Sequence, residues 1–394
     1  MRDTLSRTLV VFLALFAFCL SAFAGGVSRR TSNTSATTKI TSVSESSTVS
    51  RKLARTRHSR RWRRRYYERF TTSSFAEDQT AGDVAGGEDP IVRAAAVDAL
   101  GNMNGAVLAL DPNTGRILAM VNQKLALSEG AEPCSTIKLS VALAALREGI
   151  ITKDTILRLS RRSRMNLTHA LAVSNNNYFE ALGRRLGFEK VSYYAHQFGL
   201  GELAGWNIDG EHLGIYPTEP IAAKLGGVGR MCSFGEGISM TPLQLGALVS
   251  AISNGGTLYY LQHPMSPEEV QNFHPVIKRQ LDIAEFIPHI TDGMAGAVQY
   301  GTARTVQYNF SQEEVLGKTG TCSNNGTRFG WFASYANTQF GRIAVVVFLR
   351  GDRQVYGPKA AEVAGRMYRG LYDHSFFAGP LTPARATEAD GAQQ

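Results

Sequence analysis

The feature that most constrains the fold is the placement of strand-like segments near both ends of the globular part of the sequence. Two apolar runs, 105–110 and 116–121, are joined by the turn-forming sequence Asp-Pro-Asn-Thr-Gly, a pattern typical of a β-hairpin. Three more strand-like runs follow much later, at 315–321, 330–335 and 343–349. Because helical patterns are clustered between these two groups, the sequence predicts an antiparallel sheet packed by helices.

Helices are predicted at five places. They cover a stretch that begins near Ser135 and ends near Gly149, the range 166–186 with a break around 174–176, and the ranges 241–254, 290–300 and 359–371. Thr241 followed by Pro242 is a typical helix start, with Thr at the cap and Pro at the first position. Residues 201–240 are rich in glycine, which favours an irregular loop system around a cleft.

The first 24 residues have the pattern of a secretory signal. Arg2 and Arg7 precede an apolar run from Leu9 to Leu20, and residues 21–24 end in the small residues at which signal peptidase cuts. The alternative is an uncleaved anchor helix, but the run is shorter than the ~20 apolar residues that span a bilayer. We therefore expect an exported protein that works in the periplasm or on the extracytoplasmic face of the cell membrane.

Residues 25–90 are predicted to be a disordered linker. Residues 25–72 contain 13 Lys and Arg but only two Glu, while the whole chain has a net charge of +9, so the basic character belongs to this segment. Its basic and aromatic cluster at 60–67 suits anionic membrane lipids or acidic wall polymers, with a plain solvated linker as the alternative. No nucleic-acid partner is expected. We predict a folded domain at 91–375 and a disordered tail at 376–394.

Ser135 and Lys138 are the first candidates for chemistry. Side chains three residues apart share one face of a helix, so the two groups can come within hydrogen-bond reach. A serine hydroxyl is a weak nucleophile until a base takes its proton. A lysine can be that base only if burial or a nearby cation lowers its pKa. The apolar residues that follow Lys138 would supply the burial.

Two more short motifs follow, Ser174-Asn175-Asn176 and Lys318-Thr319-Gly320. Alone, Ser174 and Asn176 would be interpreted as cap or turn residues, and Lys318 as a surface lysine. The order and separation of the three motifs are typical of penicillin-recognising serine enzymes. Over about residues 95–372, the sequence resembles the transpeptidase domain of a penicillin-binding protein. The resemblance extends to the segments 235–245, 254–256 and 301–303.

The resemblance implies an α+β fold: an antiparallel sheet with helices on both faces and an inserted all-helical subdomain. It also implies a serine D,D-transpeptidase that acts on peptidoglycan stem peptides and is inhibited covalently by β-lactams. No cofactor or metal is expected, because the eight His residues show no paired metal-ligand spacing.

The roles of the site residues follow from the resemblance together with the chemistry of each group. Ser135 would attack the carbonyl of a peptide bond, and Lys138 would take the serine proton. Ser174 would pass a proton to the departing amine, and Asn176 would hold Lys138 and the substrate backbone. Lys318 would attract a substrate carboxylate and help to keep Lys138 neutral.

The remaining roles belong to the strand that contains Lys318. Thr319 and Thr321 would donate hydrogen bonds to the substrate carboxylate, and Gly320 would let a substrate chain lie against the strand edge. The backbone N–H groups of Ser135 and Thr321 would form the oxyanion hole.

The first alternative is a D,D-carboxypeptidase or a β-lactamase of the same fold. Class A β-lactamases activate water with a glutamate in a Glu-x-x-Leu-Asn loop. Glu202, Glu211 and Glu219 lie in the corresponding region, but none has that motif. Class D β-lactamases generally have an apolar residue where Asn176 stands. Both departures favour an acyl-enzyme that water attacks slowly.

An alternative of another class is a non-catalytic β-lactam sensor or a cell-wall-binding protein. A sensor would usually need transmembrane signalling helices, and a wall binder would not need both lysines of the motifs.

Three cysteines follow the predicted signal: Cys134, Cys232 and Cys322. Some class A β-lactamases that hydrolyse carbapenems have a disulfide between cysteines at the offsets of Cys134 and Cys322. The resemblance therefore implies a Cys134–Cys322 disulfide and a free Cys232, with buried free thiols as the alternative.

Overall fold

A computed structural model of the protein describes residues 69–339 and 341–379. The helices are α1 (Pro90–Leu100), α2 (Gln123–Ala126), α3 (Lys138–Arg147), α4 (Leu167–Ala172), α5 (Asn176–Leu186), α6 (Phe188–Gln197), α7 (Gly227–Phe234), α8 (Pro242–Asn254), α9 (Pro267–Gln271), α10 (Ile287–Gln299) and α11 (Gly357–Asp373). The strands are β1 (Gly105–Leu110), β2 (Ile117–Val121), β3 (Leu157–Arg158), β4 (Arg164–Met165), β5 (Thr257–Tyr259), β6 (Ile277–Gln280), β7 (Glu314–Asn324), β8 (Thr327–Thr338) and β9 (Gly341–Gly351). Short 3-10 turns are formed by Cys134–Ile137, Ala223–Leu225, Ala284–Phe286, Arg304–Val306 and Phe376–Ala378.

The main sheet has five strands in the order β2-β1-β9-β8-β7, and every pair in it is antiparallel. The predicted first hairpin is confirmed, since β1 pairs with β2. The three late strands also form as predicted. The first hairpin joins them through β1 and β9, where Gly105 lies opposite Leu349. Strand β7 is an edge of this sheet, so one side of it is available to other parts of the protein.

Helices cover both faces of the sheet, as predicted, because side chains of a strand alternate between its two faces. Val107 and Ala109 of β1 pack into one apolar cluster together with helices α1 and α11. Leu108 and Leu110 pack into the other, together with α3 and α8. The strands are thus apolar on both sides, which explains why their sequences show continuous apolar runs instead of alternation.

The long insertion between β2 and β7 is mostly helical, although not all-helical as expected. It contains two small sheets, β3 with β4 and β5 with β6. The strands β3 and β4 have only two residues each, too short for a period-2 pattern to be recognised. The region 201–240 also contains a helix, α7, where an irregular loop was predicted. Its glycines obscure the helical pattern because glycine disfavours helices.

The N-terminal boundary of the folded domain lies earlier than the predicted Ile91. Ser74 is buried, and its hydroxyl donates to Asp352 at 2.6 Å. Arg93 of α1 forms salt bridges with Asp83 at 2.9 Å and with Glu88 at 2.8 Å. Residues 69–89 therefore belong to the domain, and their polar character reflects specific partners instead of a linker. The rest of the predicted linker, 25–68, lies outside the described residues.

The C-terminal boundary also differs from the prediction. Phe376 and Phe377, assigned to a disordered tail, are buried in the cluster formed with α11. Residues 1–24 and 380–394, with the predicted signal and most of the predicted tail, lie outside the described residues. Across 69–339 and 341–379, no helix combines the length and the apolar character needed to cross a membrane.

Candidate active site

Ser135 lies in the 3-10 turn Cys134–Ile137, immediately before α3. Lys138 is the first residue of α3, and its Nζ lies 2.9 Å from Ser135 Oγ. Lys138 is fully buried, whereas Ser135 is partly exposed. The predicted proximity of this hydroxyl and amine is therefore present, with the amine inside the protein and the hydroxyl facing outward.

The break between α4 and α5 brings Ser174 and Asn176 to the same amine. Ser174 has a left-handed backbone (φ 55°), which reverses the chain at this point. Asn175 begins α5 by accepting a hydrogen bond from the backbone of Tyr178, so its role is that of a cap. Lys138 Nζ contacts Asn176 Oδ1 at 2.6 Å, the Ser174 carbonyl at 2.8 Å and Ser174 Oγ at 3.2 Å.

Lys318 reaches the same group from the edge strand β7. Its Nζ donates to Ser174 Oγ at 2.8 Å and to the Thr319 carbonyl at 2.9 Å. The hydroxyl of Ser174 therefore lies between the two amines. Lys318 is fully buried and is not a surface residue. The three motifs, far apart in sequence, thus converge on one hydroxyl.

Burial of two amines so close together depresses both pKa values, because the charged form loses its hydration. Burial, followed by repulsion from the Lys318 ammonium, lowers the pKa of Lys138 to about 6, against a smaller opposing effect of Glu180. Burial alone lowers the pKa of Lys318 to about 7. The ring of Phe179 lies 5.5 Å from Lys138 Nζ and forms part of the apolar surroundings. At neutral pH, the amine beside Ser135 is therefore mostly unprotonated and able to accept a proton.

The two threonines that follow Lys318 on β7 make different contacts. Thr319 is buried, and its Oγ1 lies 2.5 Å from Thr302 Oγ1. Thr321 Oγ1 accepts the Gly357 N–H at 2.7 Å, which leaves the proton of the Thr321 hydroxyl available to another acceptor.

Gly320 has a packing reason to be glycine. A Cβ atom at this position would lie 2.9 Å from the Pro133 carbonyl and 3.2 Å from Thr136 Cγ2. The absence of a side chain lets β7 approach the turn that contains Ser135. This close approach is a different use of the glycine from the predicted contact with a substrate chain.

Cys134 and Cys322 form a disulfide with Cα atoms 5.4 Å apart. The bond joins the residue before Ser135 to the strand of Lys318. Cys232 is free and buried, and burial raises the pKa of its thiol to about 12, so it is an unreactive packing residue.

Sequence reasoning assigned no role to two residues that the structure places at the site. Thr302 belongs to the segment 301–303, which contributed to the resemblance, but nothing in its sequence indicates the contact with Thr319. Glu132 lies three residues before Ser135, and its carbonyl accepts the Trp331 Nε1–H at 3.0 Å. Only the position of Glu132, close in sequence to Ser135, could have drawn attention to it.

The other candidates lie elsewhere. Within 69–339 and 341–379, no three or more His, Cys, Asp or Glu residues are grouped closely enough to hold a metal ion. Among the three glutamates considered for water activation, Glu202 pairs with Lys278 and Arg279, and Glu211 accepts the Ala204 and Gly205 N–H groups. Glu219 is exposed.

A serine hydroxyl beside a buried amine, with a second buried amine that shares one bridging hydroxyl, is the arrangement expected of a Ser-Lys acyl-transfer site. The sheet with helices on both faces and the three converging motifs are the features of penicillin-recognising serine enzymes.

A family model for the penicillin binding protein transpeptidase domain matches residues 105–369, and the chain belongs to this family. The chain is 30% identical to Stage V sporulation protein D of Bacillus subtilis over 66% of its length and 48% of the relative's. It is 24% identical to the Peptidoglycan D,D-transpeptidase FtsI of Escherichia coli over 68% of its length and 51% of the relative's. The chain thus spans about half the length of these two relatives.

Two other similarities cover more of the matched protein. The chain is 26% identical to the Peptidoglycan D,D-transpeptidase PbpA of Mycolicibacterium smegmatis, over 73% of its own length and 72% of the relative's. A crystal structure of the D,D-transpeptidase domain of a peptidoglycan glycosyltransferase from Eggerthella lenta has a TM-score of 0.58 at 20% identity and covers 76% of this chain and 87% of that one. The structural similarity confirms the predicted fold.

Proposed function

We propose that the protein is a serine D,D-transpeptidase that acts on peptidoglycan stem peptides outside the cytoplasm through an acyl-enzyme on Ser135. The observation that carries this proposal is the double contact of Ser174 Oγ, with Lys138 Nζ at 3.2 Å and Lys318 Nζ at 2.8 Å, beside a serine that lies 2.9 Å from Lys138 Nζ. The family membership and the names of its relatives support the reaction class.

The first step is the acylation of Ser135. The unprotonated Lys138 Nζ takes the Ser135 proton while Oγ attacks the carbonyl carbon of the terminal peptide bond. When the C–N bond breaks, the departing amine receives a proton from Ser174 Oγ, and Ser174 is reprotonated by Lys138. Lys138 ends neutral and Ser135 carries the acyl group, so the same relay can run in reverse to deliver an amine.

The backbone N–H groups of Ser135 and Thr321 are proposed to bind the carbonyl oxygen as negative charge develops on it. Each such donor contributes roughly 3 kcal/mol to transition-state stabilisation. The disulfide between their neighbours, Cys134 and Cys322, fixes the separation of these two segments. The Thr319 and Thr321 hydroxyls with the Lys318 ammonium are proposed to hold the terminal carboxylate of the substrate.

Transfer to an amine is favoured over hydrolysis by the glutamates of the insertion. A β-lactamase of class A needs a carboxylate free to activate water at the acyl-enzyme. The carboxylate of Glu202 is held by two cationic side chains and that of Glu211 by two backbone N–H groups. Neither of these two carboxylates is free to take the role of the class A glutamate, and this favours an acyl-enzyme that lives longer than that of a class A β-lactamase.

The experiment that tests the proposal is labelling with a fluorescent penicillin. Wild type should become covalently labelled, Ser135→Ala should not, and Ser140→Ala, which alters a buried serine of the same helix region, should keep the label. Labelling of Ser135→Ala would contradict the acyl-enzyme on this residue. Incubation of a pentapeptide with and without an added amine should then give the cross-linked product in preference to the hydrolysed one, and a hydrolysed product alone would indicate a carboxypeptidase.

A further inference from the structure

A charged cleft continues from the proposed active site beyond Thr321. It has a volume of about 470 Å³ and is bounded by Glu132, Arg230, Glu236 and the end of β7 from Thr321 to Asn324. Because Thr321 also belongs to the proposed oxyanion hole, a substrate acylated on Ser135 has this cleft directly beside it. Groups attached near the acylated carbonyl can therefore enter the cleft.

The charges in the cleft are unequally paired. Arg230 Nε donates to Glu236 Oε2 at 2.7 Å, and the guanidinium lies 4.1 Å from the centre of the Phe234 ring. These two charges largely offset each other. The Glu132 carboxylate has no hydrogen bond or ion pair with any residue in 69–339 or 341–379, although it is only partly exposed. Ionised, the three groups leave one uncompensated negative charge.

The backbone that presents Glu132 is held from both sides. The Glu132 carbonyl accepts the Trp331 Nε1–H at 3.0 Å. Ala131 and Met240 exchange two backbone hydrogen bonds of 3.1 and 2.8 Å. On the other side, Cys134 is bonded to Cys322. A carboxylate on such a fixed backbone loses little freedom when it binds a ligand.

An unpaired, half-buried carboxylate beside a second carboxylate is costly until a cation joins it. The pKa of Glu132 reflects this cost of ionisation. Burial and then repulsion by Glu236 raise this pKa to about 7, with Arg230 acting in the opposite direction. An anionic ligand would face the Glu132 charge and would have to displace Glu236 from Arg230. The cleft therefore selects for positive charge.

We propose that this cleft is a substrate subsite for a protonated primary amino group, with the Glu132 carboxylate as its counter-ion. The inference rests on the proposed function, and it adds the chemical class of the peptide: a stem peptide with a free amino group close to the bond that is cut. Glu132 is then a specificity-determining residue, while Ser135 and the two lysines perform the chemistry.

The test uses three penicillins that differ only in one substituent of the side chain. Benzylpenicillin has a hydrogen there, ampicillin an ammonium group and carbenicillin a carboxylate. The second-order acylation rate constant is measured for each at pH 7 with wild type, with Glu132→Gln and with Glu268→Gln, an exposed glutamate of α9. The ratio of two penicillins within one variant is independent of any general damage to the catalytic residues.

In wild type, ampicillin is expected to react faster than carbenicillin. The Glu132→Gln substitution should reduce that preference by about tenfold, the size of one charge-assisted hydrogen bond. Glu268→Gln should keep the wild-type ratios. An unchanged ratio in Glu132→Gln overturns the subsite but not the transpeptidase proposal, since benzylpenicillin still acylates. Failure of all three penicillins to acylate wild type overturns both.

Discussion

Removal of the Lys318 charge should move the pH at which Ser135 becomes reactive. Both amines contact Ser174 Oγ, at 3.2 and 2.8 Å, so their nitrogens are at most about 6 Å apart. Two unit charges at ~6 Å with an effective dielectric constant of ~20 repel by roughly 3 kcal/mol, which corresponds to about two pKa units. Lys318→Met deletes this repulsion, and the pKa of Lys138 should rise from about 6 to about 8.

The sign of the effect follows from the required protonation state. Lys138 must be neutral to take the serine proton, so acylation increases as the pH rises through the pKa of Lys138. At pH 7, the neutral fraction should fall from about nine tenths in wild type to about one tenth in Lys318→Met. Near pH 9, Lys138 of the variant should again be mostly neutral, so the acylation rate should recover about tenfold. A constant loss caused by weaker binding of the substrate carboxylate should remain.

The assay is the second-order rate constant for labelling by a fluorescent penicillin, measured from about pH 5 to pH 9.5. Lys318→Arg retains the charge. The acid limb of its plot of rate constant against pH should therefore stay near the wild-type position, whatever the effect of the substitution on the maximal rate. If Lys318→Met has the acid limb of wild type, the cation does not tune Lys138, and burial alone would have to account for the low pKa.

Three further predictions concern contacts that support the site and the N-terminal segment of the domain. Thr302→Val should remove the hydroxyl partner of Thr319. Because recognition of the substrate carboxylate is then weaker, the KM for the stem peptide should rise about tenfold with little change in kcat. Thr302→Ser should keep the wild-type KM, and equal KM values in the two variants would contradict a role of the Thr302 hydroxyl in carboxylate recognition. Cys322→Ser opens a loop closed over 188 residues and should lower the free energy of unfolding by roughly 2–5 kcal/mol. The measurement is urea denaturation, with wild type under reducing conditions for comparison. An unchanged denaturation midpoint would contradict this prediction. Arg93→Met removes the guanidinium that pairs with the buried Asp83 and Glu88 carboxylates, and Glu88 keeps a further contact, with His263 at 2.9 Å. The substitution should cost about 3 kcal/mol in the same assay, and a loss below about 1 kcal/mol would show that the segment 69–89 contributes little.

The parts of the fold that could be predicted from sequence are those governed by local rules. The hairpin at 105–121 has a strong turn signal, and α8 begins at a capping box formed by Thr241 and Gln244. The break between α4 and α5 was also visible, because Ser174 and Asn175 are typical of turns and caps. Such signals depend on neighbours within a few residues, and a single sequence contains them completely.

The errors concern residues whose structure depends on distant partners. Asp83 and Glu88 appear linker-like until Arg93 and the backbone N–H groups of Asn122 and Gln123 are placed around them. The same holds at the site. The motifs indicated the residues that the structure brings together, but the Thr302 contact and the uncompensated charge of Glu132 arise from segments that meet only in the folded chain.

The order of strands in the main sheet has a consequence for how the domain forms. The first hairpin pairs with β9, so Gly105 must find Leu349 across roughly 240 intervening residues, a long-range pairing of the kind that slows folding. Until β9 has been synthesised, β1 lacks its partner at the centre of the sheet, and the first hairpin has an unpaired edge. Truncations that remove residues after 340 should therefore prevent the whole domain from folding. The helical insertion is expected to reach its native packing only after β9 has paired with β1 and β8.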